Sequence, residues 1–135
     1  MAEAAVEVVG AWLDAVNAGD VDAALELTSS DVTIAGPRGT SRGHDVLRAW
    51  LGHAGATFAT HSMYARGNAV VVSQHGVWRD AATGAVKGEM NVATRFRVAG
   101  GQVAELARYE DLDEALREAG LVETDELWPG GGQLN

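Results

Sequence analysis

Arg108 and Glu110 stand two residues apart near the end of an extended-looking run, residues 102–110. In a strand that spacing puts both side chains on one face. A guanidinium there can orient and polarise a ligand oxygen, and a carboxylate beside it can take or give a proton. Buried among apolar walls, the same two groups can equally bond each other and simply fix the strand. Gln74 is the third polar candidate. It shares its parity with Gly76 and Trp78, so all three side chains meet one face of their strand. An inward Gln74 could hydrogen-bond within a cavity, and Gly76 would leave room beside it. The apolar pattern does not settle which way that face points, because Val70, Val71 and Val72 are apolar on both sides.

Other chemistries find no support. His44, His53, His61 and His75 show no metal-ligand spacing, and the chain has no cysteine. His44 would stand near the mouth of a pocket or in solvent. No nucleophile elbow, phosphate loop or dinucleotide fingerprint is present. We therefore expect neither a metal nor a cofactor.

The elements that must hold these residues follow from periodicity. Residues 4–18 predict a helix, with Ala5, Val9, Trp12, Leu13 and Val16 in one apolar stripe. Asp20 caps a second helix over 21–28, and 32–35 form a short strand closed by Gly36 and Pro37. Residues 38–42 read as a polar loop, and 44–54 as a third helix with Trp50 on its buried face. Four strands then follow, over 57–66, 69–78, 87–98 and 102–110. Asp111, with Glu114 three residues on, caps a last helix ending near Gly120. Residues 1–120 make one domain and 121–135 a partly mobile tail in which Trp128 could dock. This order predicts an α+β architecture, a curved antiparallel sheet whose concave side the first helices close over a conical pocket.

The strand at 87–98 alternates cleanly, with Met90, Val92, Thr94, Phe96 and Val98 on one face. What faces them depends on the hairpin at Gly100 and Gly101. A two-residue loop pairs Ala99 with Gln102 and sets Phe96 beside Glu105. A three-residue loop pairs Val98 with Gln102 and sets Val92 beside Arg108 and Met90 beside Glu110. A slip of one residue reverses the faces.

Bulk composition narrows the partners. The chain has 135 residues and a formal charge of −9. An acidic surface repels phosphate backbones and anionic lipid, so neither nucleic acid nor membrane is an expected partner. No apolar run reaches the roughly 18 residues of a membrane span, and the first residues lack a signal-peptide pattern. A cytoplasmic location is the expectation.

Residues 12–22, then Ser30-Asp31-Val32-Thr33-Ile34 and Gly36-Pro37, resemble the opening of the NTF2-like superfamily. That superfamily includes ketosteroid isomerases, SnoaL-like polyketide cyclases, scytalone dehydratase and limonene epoxide hydrolase. The ending, from Phe96-Arg97-Val98 to Arg108-Tyr109-Glu110-Asp111, resembles its last strand pair. The resemblance, over about 4–120, implies a cystatin-like cone with N-terminal helices on the concave face. It favours the second hairpin register, in which Leu106, Arg108 and Glu110 line the pocket with Trp78, Met90, Val92, Thr94 and Phe96. It implies no ketosteroid isomerase activity, since the base, tyrosine and acid positions fall on Gly36, Trp12 and Thr94. A pocket aspartate of the epoxide hydrolases would match Arg108, so that mechanism does not carry over either. Trp12 matches a pocket position, although core packing is its other reading. The resemblance further implies a homodimer through the outer side of the sheet, with Arg95 and Arg97 meeting acidic residues of the partner. Two classes stay open: a cofactor-independent lyase, isomerase or cyclase using Glu110, Arg108 and Gln74, or a non-catalytic small-molecule binder or scaffold.

Overall fold

The computed structural model describes residues 2–36, 39–52, 56–80 and 82–127. The element order is α1 (Ala2–Asn17), α2 (Val21–Glu26), β1 (Thr28–Gly36), β2 (Gly39–Arg42), α3 (His44–Gly52), β3 (Ala56–Arg66), β4 (Ala69–Arg79), β5 (Val86–Ala99), β6 (Gln102–Tyr109) and α4 (Leu112–Ala119), followed by a 3-10 turn at Glu123–Asp125. The six strands form one open sheet in the order β2-β1-β6-β5-β4-β3. β1 runs parallel to β6 and every other pairing is antiparallel. The fold is the expected α+β arrangement with a curved, unclosed sheet. Register shifts in β3, β6 and at the end of β4 supply the bends.

Helices α1, α2 and α3 pack on the concave face. Their Val9, Trp12, Leu13, Leu25 and Leu47 share one core with inward residues of the sheet, among them Val32, Val72, Phe96 and Leu106. A smaller cluster lies on the convex face, where Ala115 and Leu116 of α4 and Leu121 cover Tyr64, Val71 and Ala93. The segment expected as tail therefore packs as far as it is described: Leu121 is buried, Glu126 bridges to Tyr64 and Arg66 holds Asp125 at 2.7 Å. Trp128 lies outside the described residues.

Thr28 joins the two layers. Its hydroxyl donates to the Ala24 carbonyl at 2.7 Å and accepts from the Trp12 indole at 3.0 Å. The back-bond ends α2 at Glu26, two residues before the predicted end. The polar loop predicted at 38–42 is also corrected: Gly39–Arg42 pair with β1 as strand β2. All four are exposed, so backbone bonds alone define the strand and no alternation betrays it.

The last hairpin combines features of both expected registers. Its loop has two residues, Gly100 and Gly101, with φ of 61° and 78°. Both lie in the left-handed region, which fits the tight turn of a twisted hairpin and favours glycine. Ala99 pairs with Gln102 and Val98 with Val103. A bulge at Ala104 then adds one residue, so Arg97 pairs with Glu105, Phe96 with Leu106 and Thr94 with Arg108. The bulge returns Leu106 and Arg108 to the concave face, as the longer loop would have done, but two residues further along β5.

Candidate functional site

Three tiers run along the concave face of β4, β5 and β6. The first is the aliphatic core beneath α1, with Val70, Val72, Phe96 and Leu106. The second is polar: Gln74 on β4, Thr94 on β5 and Arg108 on β6. The register makes them neighbours, because Thr94 stands opposite Arg108 and next to Val92, which pairs with Gln74. The third is an aromatic rim, where Phe58 and Trp78 meet edge to face at 5.8 Å beyond Gly76. Met90, paired with Gly76, is 41% exposed.

Gln74 and Thr94 are each only 1% exposed, and among the described residues neither the Gln74 Nε2 nor the Thr94 Oγ1 has a hydrogen-bond partner. Buried polar groups in that state are rare and costly, which makes them a signal of a site. The Arg108 guanidinium lies 4.8 Å from the Phe58 ring centroid, a cation-π contact. Burial pushes its pKa down to about 10, so it remains a cation at neutral pH. Together these groups can donate to a ligand oxygen and stabilise charge that develops on it.

Phe58 was not among the residues singled out from the sequence. It reaches the rim because β3 carries a bulge between Thr60 and Ser62, which lets Phe58 and Met63 face inward despite their odd separation. Asn17 at the end of α1 fixes it. Its side-chain amide donates to the Phe58 carbonyl at 3.0 Å and accepts from the Phe58 amide at 2.9 Å. The room expected at Gly76 is taken by these rings. A Cβ there would lie 2.9 Å from Phe58 Cε1 and 2.9 Å from Trp78 Cη2.

The remaining expected residues divide. Gln74, Trp78, Met90, Val92, Thr94 and Arg108 come together on the concave face. Trp12, Phe96 and Leu106 lie in the packed core, where the Trp12 ring meets Phe96 at 5.3 Å and its indole N–H is spent on Thr28. Gly36 ends β1 opposite Gly39. Glu110 is the clearest departure. Pairing of β6 stops at Tyr109, and Glu110 sits exposed in the bend that follows. The chain turns there so that Asp111 can cap α4, accepting from the Asp113 amide at 3.1 Å. Glu110 thus stands beyond the end of the strand that carries Arg108.

On the convex face Arg95 and Arg97 both bind Glu105 of the same chain, at 3.1 Å each. Partial burial pushes the Glu105 carboxyl up, but the hydrogen bonds and charges of Arg97 and Arg95 outweigh it and hold its pKa below the ordinary value. His75 lies between Asn91 at 3.0 Å and Glu89 at 2.9 Å. His44 donates through Nε2 to the Thr28 carbonyl at 2.8 Å, an anchor for α3. No cluster of three or more metal-binding side chains occurs among the described residues.

Residues 9–106 match the SnoaL-like domain family. The chain belongs to that family. No curated protein matches the sequence. Solved structures share the SnoaL-like fold at low identity. A Xanthomonas campestris protein provisionally assigned as a polyketide cyclase is 23% identical, with 87% of this chain and 97% of that one covered and a TM-score of 0.68. TerC co-crystallised with polyporic acid is 18% identical, with coverage of 87% and 98% and a TM-score of 0.69. A Kribbella flavida protein provisionally assigned as a ketosteroid isomerase is 14% identical, with coverage of 82% and 79% and a TM-score of 0.71. At these identities the likeness concerns the fold.

Proposed function

We propose that this SnoaL-like domain binds a small, largely apolar molecule on the concave face and polarises one of its oxygens with Arg108, Gln74 and Thr94. The observation that carries the reading is the pair of buried, unpartnered polar groups beside the guanidinium. A structural ion pair would have no use for them. Cofactor-independent isomerase, lyase or cyclase chemistry suits such donors, since each passes through charge on a carbonyl oxygen. Neighbours named as a polyketide cyclase and as TerC with polyporic acid support a small organic ligand. A second reading, binding without turnover, is favoured by a different fact: β3–β6 place no carboxylate on this face to act as base.

Tryptophan fluorescence titration with 2-acetylnaphthalene tests the reading. Trp78 at the rim should report binding, and Arg108→Met should weaken it by about tenfold, the worth of one charge-assisted hydrogen bond. Unchanged binding in Arg108→Met would remove the site.

We also propose a homodimer through the convex face of β3–β5. Its exposed surface carries both signs of charge, with Glu89 near His75 and Arg97 beside Glu105, which suits a self-complementary two-fold contact.

A further inference from the structure

Among the described residues, the side-chain atoms of Gln74 and Thr94 left without a partner can both donate, although Gln74 Oε1 and the Thr94 hydroxyl can also accept. Gln74 Nε2 can only donate, Arg108 can only donate, and the Thr94 hydroxyl can turn to donate as well. The only carboxylates on β3–β6, Glu89 and Glu105, belong to the opposite face, where they bind His75 and the arginine pair. Glu110 is exposed beyond the strand end. Nothing on the inward side of these four strands supplies a negative charge.

Resting on the binding role proposed above, we infer that the ligand enters as an anion, its delocalised oxyanion held by Gln74, Thr94 and Arg108 and its planar body against Phe58 and Trp78. A neutral carbonyl has one oxygen with two lone pairs. A carboxylate offers two oxygens and about four acceptor sites, enough for a guanidinium, an amide and a hydroxyl together. Bonds between ionised partners are roughly twice as strong as neutral ones. The rim selects shape: Phe58 and Trp78, set edge to face and each half-buried, offer aromatic surface to a planar framework. Carboxylates, phenolates and enolates share this chemistry, and matched probes separate them.

The test is a fluorescence titration of the intact chain with two matched pairs, 2-naphthoate against 2-naphthamide and 4-nitrophenolate against 4-nitroanisole. At least one anion should bind about tenfold more tightly than its neutral partner. Which pair shows the preference tells carboxylate from phenolate or enolate recognition. Gln74→Leu and Thr94→Val should each cut the preference to about threefold or less, with the unfolding midpoint unchanged or raised. If Gln74→Leu fails to fold, Gln74→Met takes its place. Equal binding of anions and neutral partners overturns the anion inference and leaves concave-face binding standing. Binding of no probe overturns both. An anion preference that survives in Thr94→Val, Gln74→Leu and Arg108→Met places the anion elsewhere and overturns the inference.

Discussion

Thr94 is a residue whose chemistry opposes its surroundings. It sits in the middle of β5, fully buried, with valine or phenylalanine at the neighbouring inward positions Val92 and Phe96. A hydroxyl left unsatisfied there costs about 1–3 kcal/mol. Valine has nearly the same shape and suits a strand better. Thr94→Val is therefore expected to raise stability by about 1 kcal/mol in urea unfolding, while weakening the binding of 2-naphthoate. A residue kept for packing would show the opposite sign. Gln74 poses the same conflict one strand away, and its leucine variant belongs in the same experiment. Conflicts of this kind mark functional positions in proteins whose local and global preferences otherwise agree.

At the scale of elements, bulges decide which residues meet. The run Gln102–Tyr109 holds two large aliphatic side chains, Val103 and Leu106, and they have opposite parity. No regular strand can bury both on one face, so the sequence already contained a sign of the bulge at Ala104. The same holds in β3, where Phe58 and Met63 differ in parity and His61 absorbs the extra residue. Reading each run as one unbroken alternation made the face of Arg108 depend on the length of the hairpin loop, gave it Thr94 as partner in neither register, and left Phe58 unnoticed.

The convex side of β4 and β5 carries its own testable element. The hydrogen bonds of His75 to Asn91 and then Glu89, with the charge of Glu89, raise its pKa above 6.5. His61 is the other titratable group facing it, with ring centroids 6.3 Å apart. A raised folded-state pKa favours the protonated form. Its contribution to stability is full below pH 6.5 and fades as pH rises through the higher folded value. In Glu89→Gln the His75 titration, followed by NMR, should move back toward its ordinary midpoint. The loss of thermal stability between pH 5.5 and 8, values chosen to span roughly the histidine range, should shrink in the same variant.

On the scale of the whole molecule, α4 and Leu121 shield only part of the convex face, leaving the region of His75, Val77 and Glu89 to solvent or to a second copy. A chain with a formal charge of −9 resists association unless its contacts are complementary. Sedimentation equilibrium should give the mass of two chains. Val77→Asp, which puts a charge in the centre of that patch, should give the mass of one with the fold retained by circular dichroism. A single-chain mass for the wild type would dismiss the dimer.

The apolar stripes of α1 and α2, the alternation of β5, the turn glycines and the cap at Asp111 each depend on near neighbours in the chain. They made the fold readable from the residues, because periods of two and three to four survive any tertiary context. The site depended on pairings between strands. Two bulges, each a single residue, set Phe58 beneath Arg108 and Thr94 opposite it, and the capping demand of α4 turned Glu110 away. Local patterns cannot encode such choices, since a bulge is chosen by what both faces of the sheet can bury at once.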